Sequence, residues 1–398
     1  MLGRLSDRVT SMHEAATLRM AQRARALREQ GADVISLAIG EPDFDTPEHI
    51  KAAATRALAD GHTKYTPVAG VAPLREAIAQ KLRHENGIDV DPAQVVVSTG
   101  AKQSLMNVCL ALLQAGDEAI LLAPYWVSYL EMIRFTGAHP VTVNADIDAD
   151  YKVTADQLRA AITDKTRLVF LNTPSNPTGA VYERGELLEI AEIVRAHPNV
   201  MVVCDEIYEH IVFESRHVSL ASLDGMAERV ITVNGFSKGF AMTGWRLGYL
   251  AAPPAIAKAV AKVQGQFTSG ANAFSQIAAV TALTGDREPT RVMCAAYRRR
   301  RDLLCSMLAD VPDVQTNVPA GAFYIFPNVQ AFYGRRAGDQ IVDGSVALCE
   351  YLLDEAHIAV VPGAAFGDDR SIRLSGAAAD DVLRTGVDRL AGALAKLR

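Results

Sequence analysis

Residues 234–248 read NGFSKGFAMTGWRLG, a stretch in which one lysine, Lys238, stands among glycines, a serine and small apolar residues directly after the apolar run RVITVNG at 229–235. An ammonium group at the end of a buried strand loses hydration and gains little in return. A lysine kept there is expected to have a lowered pKa or to be consumed by chemistry, and Schiff-base formation with an aldehyde does both. A structural lysine paired with an acid is the other reading of the same residue.

Working outward, the run before Lys238 is one of seven. QVVVS (94–98), EAILLA (118–123), HPVTV (139–143), RLVFLN (167–172), VMVVCD (200–205), RVITVNG (229–235) and RLGYLAA (246–252) alternate with helical patterns such as 102–116 and 183–197, whose apolar residues recur at three and four. Strands this apolar, alternating with helices, predict an α/β fold with a sheet covered on both faces. Both chain ends read differently. Residues 13–30 predict one charged helix, and the C-terminal part mixes AGAFYIFP, a helix near 345–355, HIAVVPG, RSIRLS and a final helix. The expected organisation is a large central domain over 47–300 and a smaller α/β domain built from 1–46 and 301–398.

In such sheets ligands bind beyond the carboxyl ends of the strands, and four of those ends carry unusual chemistry. After the first run, STGAKQS opens a helix whose free N–H groups and dipole favour an anion such as a phosphate, although a tight strand-to-helix turn uses the same residues. After RLVFLN comes TPSNPTG, stiffened by two prolines, with Asn176–Pro177 a candidate cis peptide and a bare turn the alternative. Asp205 ends an apolar strand, a costly place for a carboxylate without a partner unless it caps a helix. With Lys238 these ends supply an anion cradle, a stiff polar loop, an acid and an amine. That set matches pyridoxal phosphate: the amine binds the aldehyde, the acid pairs with the pyridinium nitrogen, and the helix N-terminus holds the phosphate.

Composition narrows the alternatives. The 398 residues are 49% hydrophobic and 22% charged with a net charge of -6, and no basic stripe invites nucleic acid or an anionic membrane. The one basic run, YRRRR at 297–301, reads as a solvated helix face. Five cysteines (109, 204, 294, 305 and 349) are an odd number without C-x-x-C spacing and suit buried free thiols in a reducing compartment. The N-terminus lacks the apolar core of a secretory signal, and no run reaches the roughly 18 apolar residues of a spanning helix, so a cytoplasmic protein is expected. No metal site is expected.

The stretch 234–248, together with SNPTG, DEIY and RLS in that order, resembles the class I pyridoxal-phosphate-dependent aminotransferases, from LAIGEPDFDTPEHI at 37 to RSIRLS at 370. The likeness is nearest to the bacterial aspartate aminotransferase subgroup, which shares TKY, GAKQ, PYWVSY and NPTGAVY as they stand at 63, 100, 124 and 176. It implies fold type I, with a mostly parallel seven-stranded sheet flanked by helices. It also implies that Lys238 carries the cofactor and moves the substrate's Cα proton, that Asp205 holds the pyridinium, and that Tyr208 and Asn176 bond the ring's phenolic oxygen. Trp126 would stack on the ring, with Gly100, Ala101, Lys102, Ser237 and Arg246 around the phosphate. Tyr65 would reach the neighbouring subunit's phosphate, implying a homodimer with shared sites.

For substrate, the resemblance implies that Arg373 takes the α-carboxylate by a planar two-point fork, with Gly40, Trp126 and Asn176 beside it. Lys102 and Thr17 match the residues this subgroup uses for a distal carboxylate, which points to a dicarboxylic substrate; a plain helix residue is the other reading of Thr17. One departure is Gly235, where the family often places a serine against the phosphate, leaving Ser237, backbone or water to make that contact. The implied reaction is ping-pong transfer from L-aspartate to 2-oxoglutarate, giving oxaloacetate and L-glutamate, with closure of the small domain over the substrate. The alternatives are transamination of prephenate, aromatic amino acids or kynurenine, or a β-lyase. A ligand-sensing regulator would need a DNA-binding domain, for which the few residues before the first helix leave no room.

Overall fold

The computed structural model describes residues 5–14, 16–338 and 340–398. The seven apolar runs form one sheet: β1 Val95–Ser98, β2 Glu118–Ala123, β3 His139–Asn144, β4 Thr166–Asn172, β5 Met201–Asp205, β6 Val230–Gly235 and β7 Gly248–Ala251, in the order β1-β7-β6-β5-β4-β2-β3. β2, β3, β4, β5 and β6 run parallel, and β7 lies antiparallel between β6 and β1. Because side chains alternate along a strand, the sheet feeds two cores. Val95, Val97, Val169, Leu171, Val202 and Cys204 pack on one side with Ile50, Leu74, Ile78 and Ile190. Val96, Leu121, Phe170, Val203, Ile231 and Val233 pack on the other with Leu105, Ile133 and Val260.

A third core gathers Met20, Ala24 and Leu37 with Leu304, Phe326, Leu352, Ile372 and Leu390. Two small pairings frame it. Ile35–Ser36 runs parallel to Ile358–Ala359, and Ile372–Ser375 lies antiparallel between Val361–Pro362 and Tyr324–Ile325. A fourth cluster, Ile207, Tyr208, Ile211, Tyr297, Phe323 and Tyr324, stands where the strand ends of the large sheet meet these small strands.

Details of the sequence reading change. The N-terminal helix spans Ala16–Glu29 and does not include His13 or Glu14; Ala15, which the expected helix contained, and residues 1–4 lie outside the described residues. HIAVVPG splits into two short strands. All five cysteines are free, and Cys109, Cys204 and Cys349 are buried. No helix of the described residues is long and apolar enough to cross a membrane.

The run YRRRR is a solvated face only at Arg298 and Arg299, which are exposed. It sits in the helix Glu288–Ala309, whose period turns Tyr297, Arg300, Arg301 and Leu304 inward. Arg300 forms a two-point fork with Asp43 at 2.8 and 2.9 Å, and Arg301 does the same with Glu214 at 3.0 and 2.6 Å. Charge counting along the sequence cannot see those partners, which are distant in the chain. Arg300→Ala should lower stability against denaturant by roughly 1 to 2 kcal/mol, since it removes a buried side chain and a two-point fork while the partly exposed Asp43 carboxylate can rehydrate. Arg299→Ala removes only an exposed pair with Asp380 and should leave the unfolding midpoint unchanged. Equal losses from the two variants would contradict this division of the run.

Candidate active site

A cavity of about 470 Å³ opens at the carboxyl ends of β4, β5 and β6 and is closed on its other side by residues 38–41, Tyr324 and Arg373. Thr17, Gly40, Ala101, Lys102, Trp126, Asn176, Asp205, Tyr208, Ser237, Lys238, Arg246 and Arg373 all line it. Gly100 borders it at the helix start. Tyr65 does not line it and is 99% exposed in this chain.

The floor depends on three glycines. Gly100 has φ +86°, and a Cβ there would lie 2.7 Å from Arg246 Nη2. Gly248, opposite Gly235 across β6 and β7, has no room for a Cβ because the backbone of Gly100 and Ala101 presses against it. A Cβ at Gly235 would stand 3.0 Å from Gly248 Cα and 3.2 Å from Ile207 Cδ1. A serine at 235 would need these neighbours to give by a few tenths of an ångström. The helix Ala101–Leu112 consequently starts against the sheet with no side chain capping it, so its first N–H groups and positive dipole end face the cavity beside Arg246. Arg246 itself is fixed by donating to the Thr243 carbonyl at 2.8 Å.

Asp205 is 5% exposed. It caps no helix: Oδ2 accepts from the Tyr129 hydroxyl at 2.7 Å and Oδ1 from the Ile207 N–H at 3.2 Å. Burial raises its pKa to about 6 against the lowering effect of those bonds, so an added cation in the cavity would be drawn to it. Glu206, next in the chain, faces away and is held by Ser219 at 2.7 Å and His217 at 3.0 Å. Burial lowers the Lys238 pKa to about 8, Arg373 and Arg246 push it the same way, and Glu41 and Asp205 oppose them. Its Nζ donates to the Gly40 carbonyl. Lys102 Nζ lies 5.0 Å over the Trp126 ring, and burial followed by Arg246 depresses its pKa.

Arg373 is 2% exposed. Its Nη1 donates to Asn176 Oδ1 at 3.0 Å and its Nη2 to the Ala38 carbonyl at 2.6 Å, while its buried Nε has no partner. None of Lys102, Lys238, Arg246 and Arg373 is paired with a carboxylate among the described residues. Four cationic groups around one buried acid make a receptor for anions, with an amine poised near neutrality between them.

The cis peptides fall at Ala123–Pro124 and Thr173–Pro174; Asn176–Pro177, the expected position, is trans. Two residues that the sequence reading passed over also matter. Asn172 ends β4, donates to the Asp205 carbonyl at 2.8 Å and accepts from the Asn176 N–H at 2.8 Å, tying the acid-bearing strand to the stiff loop. A polar residue closing an apolar strand was its signal. Tyr324 meets Tyr208 hydroxyl to hydroxyl at 2.8 Å and stacks on Arg373; nothing in AGAFYIFP marks it apart from ordinary core.

A family model described as aminotransferase class I and II matches residues 32–390. A bifunctional aspartate aminotransferase and glutamate/aspartate-prephenate aminotransferase from Petunia hybrida is 47% identical, covering 99% of this chain and 83% of its own. The aspartate aminotransferase structure from Rhizobium meliloti superimposes with a TM-score of 0.96 at 40% identity, covering 100% of both chains. That of aspartate aminotransferase from Thermus thermophilus with maleate gives 0.93 at 42% identity, covering 98% of this chain and 100% of the other.

With Lys238 partly neutral near pH 8 and Lys51 held charged by Glu48, cyanate at pH 8 should carbamoylate Lys238 of the cofactor-free protein ahead of Lys51 in peptide maps. Faster reaction at Lys51 would contradict the assigned effect of burial.

Proposed function

The chain belongs to the class I and II aminotransferases, and from that premise we propose that it is an aspartate aminotransferase, moving the amino group of L-aspartate to 2-oxoglutarate and forming oxaloacetate and L-glutamate. The family depends on pyridoxal phosphate, and the residues present suit it. The observation that carries the substrate assignment is the set of unpaired cations at separate points of one cavity, with Lys238 among them. Arg246, Ser237 and the Gly100–Lys102 helix start would hold the phosphate, and Asp205 the pyridinium. Tyr208 and Asn176 would face the phenolic oxygen, with Trp126 against the ring.

When bound, the cofactor supplies an electron sink that makes the substrate's Cα–H acidic. Lys238 Nζ, whose pKa burial lowers to about 8, would take that proton and hand it back later in the transfer. Arg373, whose geometry is fixed by Asn176 and the Ala38 carbonyl, turns the substrate by its α-carboxylate so that the Cα–H faces Lys238. Gly40 leaves room beside Tyr324, and its carbonyl accepts from Nζ. Lys102, desolvated over Trp126, with Thr17 lining the same cavity, receives the distal carboxylate. The solved relative from Thermus thermophilus carries maleate, itself a dicarboxylate.

Prephenate is the second reading, favoured by the Petunia hybrida relative's printed name, because Lys102 and Thr17 would serve any second carboxylate. The fully exposed Tyr65 ring supports a homodimer in which it reaches the partner's phosphate. The separate core of the chain ends supports residues 1–46 and 301–398 as a small domain that closes on 47–300, and five free thiols suit a reducing, cytoplasmic setting.

Lys238→Ala should abolish turnover and the permanent attachment of the cofactor to the chain on borohydride reduction; a variant retaining both contradicts the assignment. Arg373→Ala should weaken all amino acids alike. Lys102→Ala should cost aspartate roughly 10- to 100-fold in kcat/KM, the worth of one hydrogen bond to a charged group, and an apolar amino acid far less. Equal losses would reject Lys102 as the distal-carboxylate residue.

A further inference from the structure

On the function proposed above, Tyr208 meets the cofactor's phenolic oxygen and Arg373 meets the substrate carboxylate, and one side chain touches both of these residues. We propose that Tyr324 is a positioning residue whose hydroxyl aims the Tyr208 proton into the cavity and whose ring fixes the plane of the Arg373 guanidinium. Antiparallel pairing of Ser375 with Tyr324 sets it beside the arginine strand. Its ring centroid lies 4.6 Å from Arg373 Cζ, with Phe366 also packed on that guanidinium at 5.1 Å. Its hydroxyl stands 2.8 Å from that of Tyr208, and a Cβ on Gly40 would collide with it. Tyr324 is therefore confined by three groups that the chemistry uses.

Each phenol has one proton. If Tyr208 donates to Tyr324, it keeps nothing for the cavity. If Tyr324 donates, the Tyr208 proton is free, and polarisation along the chain makes Tyr208 the stronger donor. An anionic oxygen in the cavity only accepts, so it selects the second arrangement. The titratable groups facing this chain are Arg373 from its strand, Tyr297 from the helix Glu288–Ala309, Lys238 after β6, Asp205 at the end of β5, and Glu41 and Arg246 toward the cavity. Tyr324→Phe alters none of them.

The test titrates the visible absorbance of the holoenzyme with pH. Losing the Tyr324 hydroxyl weakens the Tyr208 bond to the anionic oxygen, so the protonated form persists to higher pH. The midpoint in Tyr324→Phe should rise by about half a unit to one unit, the range set by one neutral hydrogen bond, with KM for the amino acid little changed because the ring remains. In a Tyr208→Phe background the same substitution should add nothing further. Tyr324→Leu, which also removes the ring, should raise KM above that of the Phe variant. An unmoved or lowered midpoint in Tyr324→Phe, or an equal rise in both backgrounds, would overturn the role of the hydroxyl; equal KM in the Phe and Leu variants would overturn that of the ring. Wild-type protein that gains no visible absorbance with pyridoxal phosphate would overturn the proposed function as well, whereas an absorbing wild type with an unmoved variant overturns this inference alone.

Discussion

Removing a guanidinium from water without giving it a carboxylate costs several kcal/mol, and Arg373 is held in that condition. Asn176 Oδ1, the Ala38 carbonyl and two aromatic rings are its neighbours, and its Nε remains unsatisfied. Folding alone gives no reason to keep it so. An arriving carboxylate supplies the missing charge and finds a donor fork already oriented. Lys102 and Lys238 repeat the pattern with less burial, Arg246 stands exposed at the cavity's edge, and together they define a site that is incomplete until anions enter it.

Holding those cations in place falls to backbone geometry more than to side-chain packing. Gly100, Gly235 and Gly248 let a helix start, a parallel strand end and an antiparallel strand meet with no Cβ between them. The uncapped end of the helix Ala101–Leu112 can therefore reach the cavity beside Arg246. Asp205 stands on the neighbouring strand, tied to the Asn176 loop through Asn172. The opposing wall comes from residues 38–41, Tyr324 and Arg373, which belong to or adjoin the core built from both chain ends.

Much of this was legible in the amino-acid order because the large sheet is buried on both faces. All seven apolar runs became strands, and the chemistry sits just past their ends, as it must in a sheet of this kind. What the order hid depends on contacts between distant residues. Arg300 and Arg301 look like solvated charges until Asp43 and Glu214 are placed beside them. Tyr324 looks like core until it meets Tyr208 and Arg373. The tightness behind Gly235 belongs to Gly248 and Ile207, neither adjacent to it in the chain. The cis bond expected at Asn176–Pro177 lies three residues earlier, at Thr173–Pro174.

The account rests on a cavity tuned for an amino acid bearing two carboxylates. The most direct measurement is the single-turnover rate of the holoenzyme with a panel of amino donors, aspartate and glutamate beside phenylalanine and alanine, at equal concentration. Aspartate should react fastest, and both dicarboxylic donors should outpace the others. Phenylalanine or alanine reacting as fast as aspartate would contradict it.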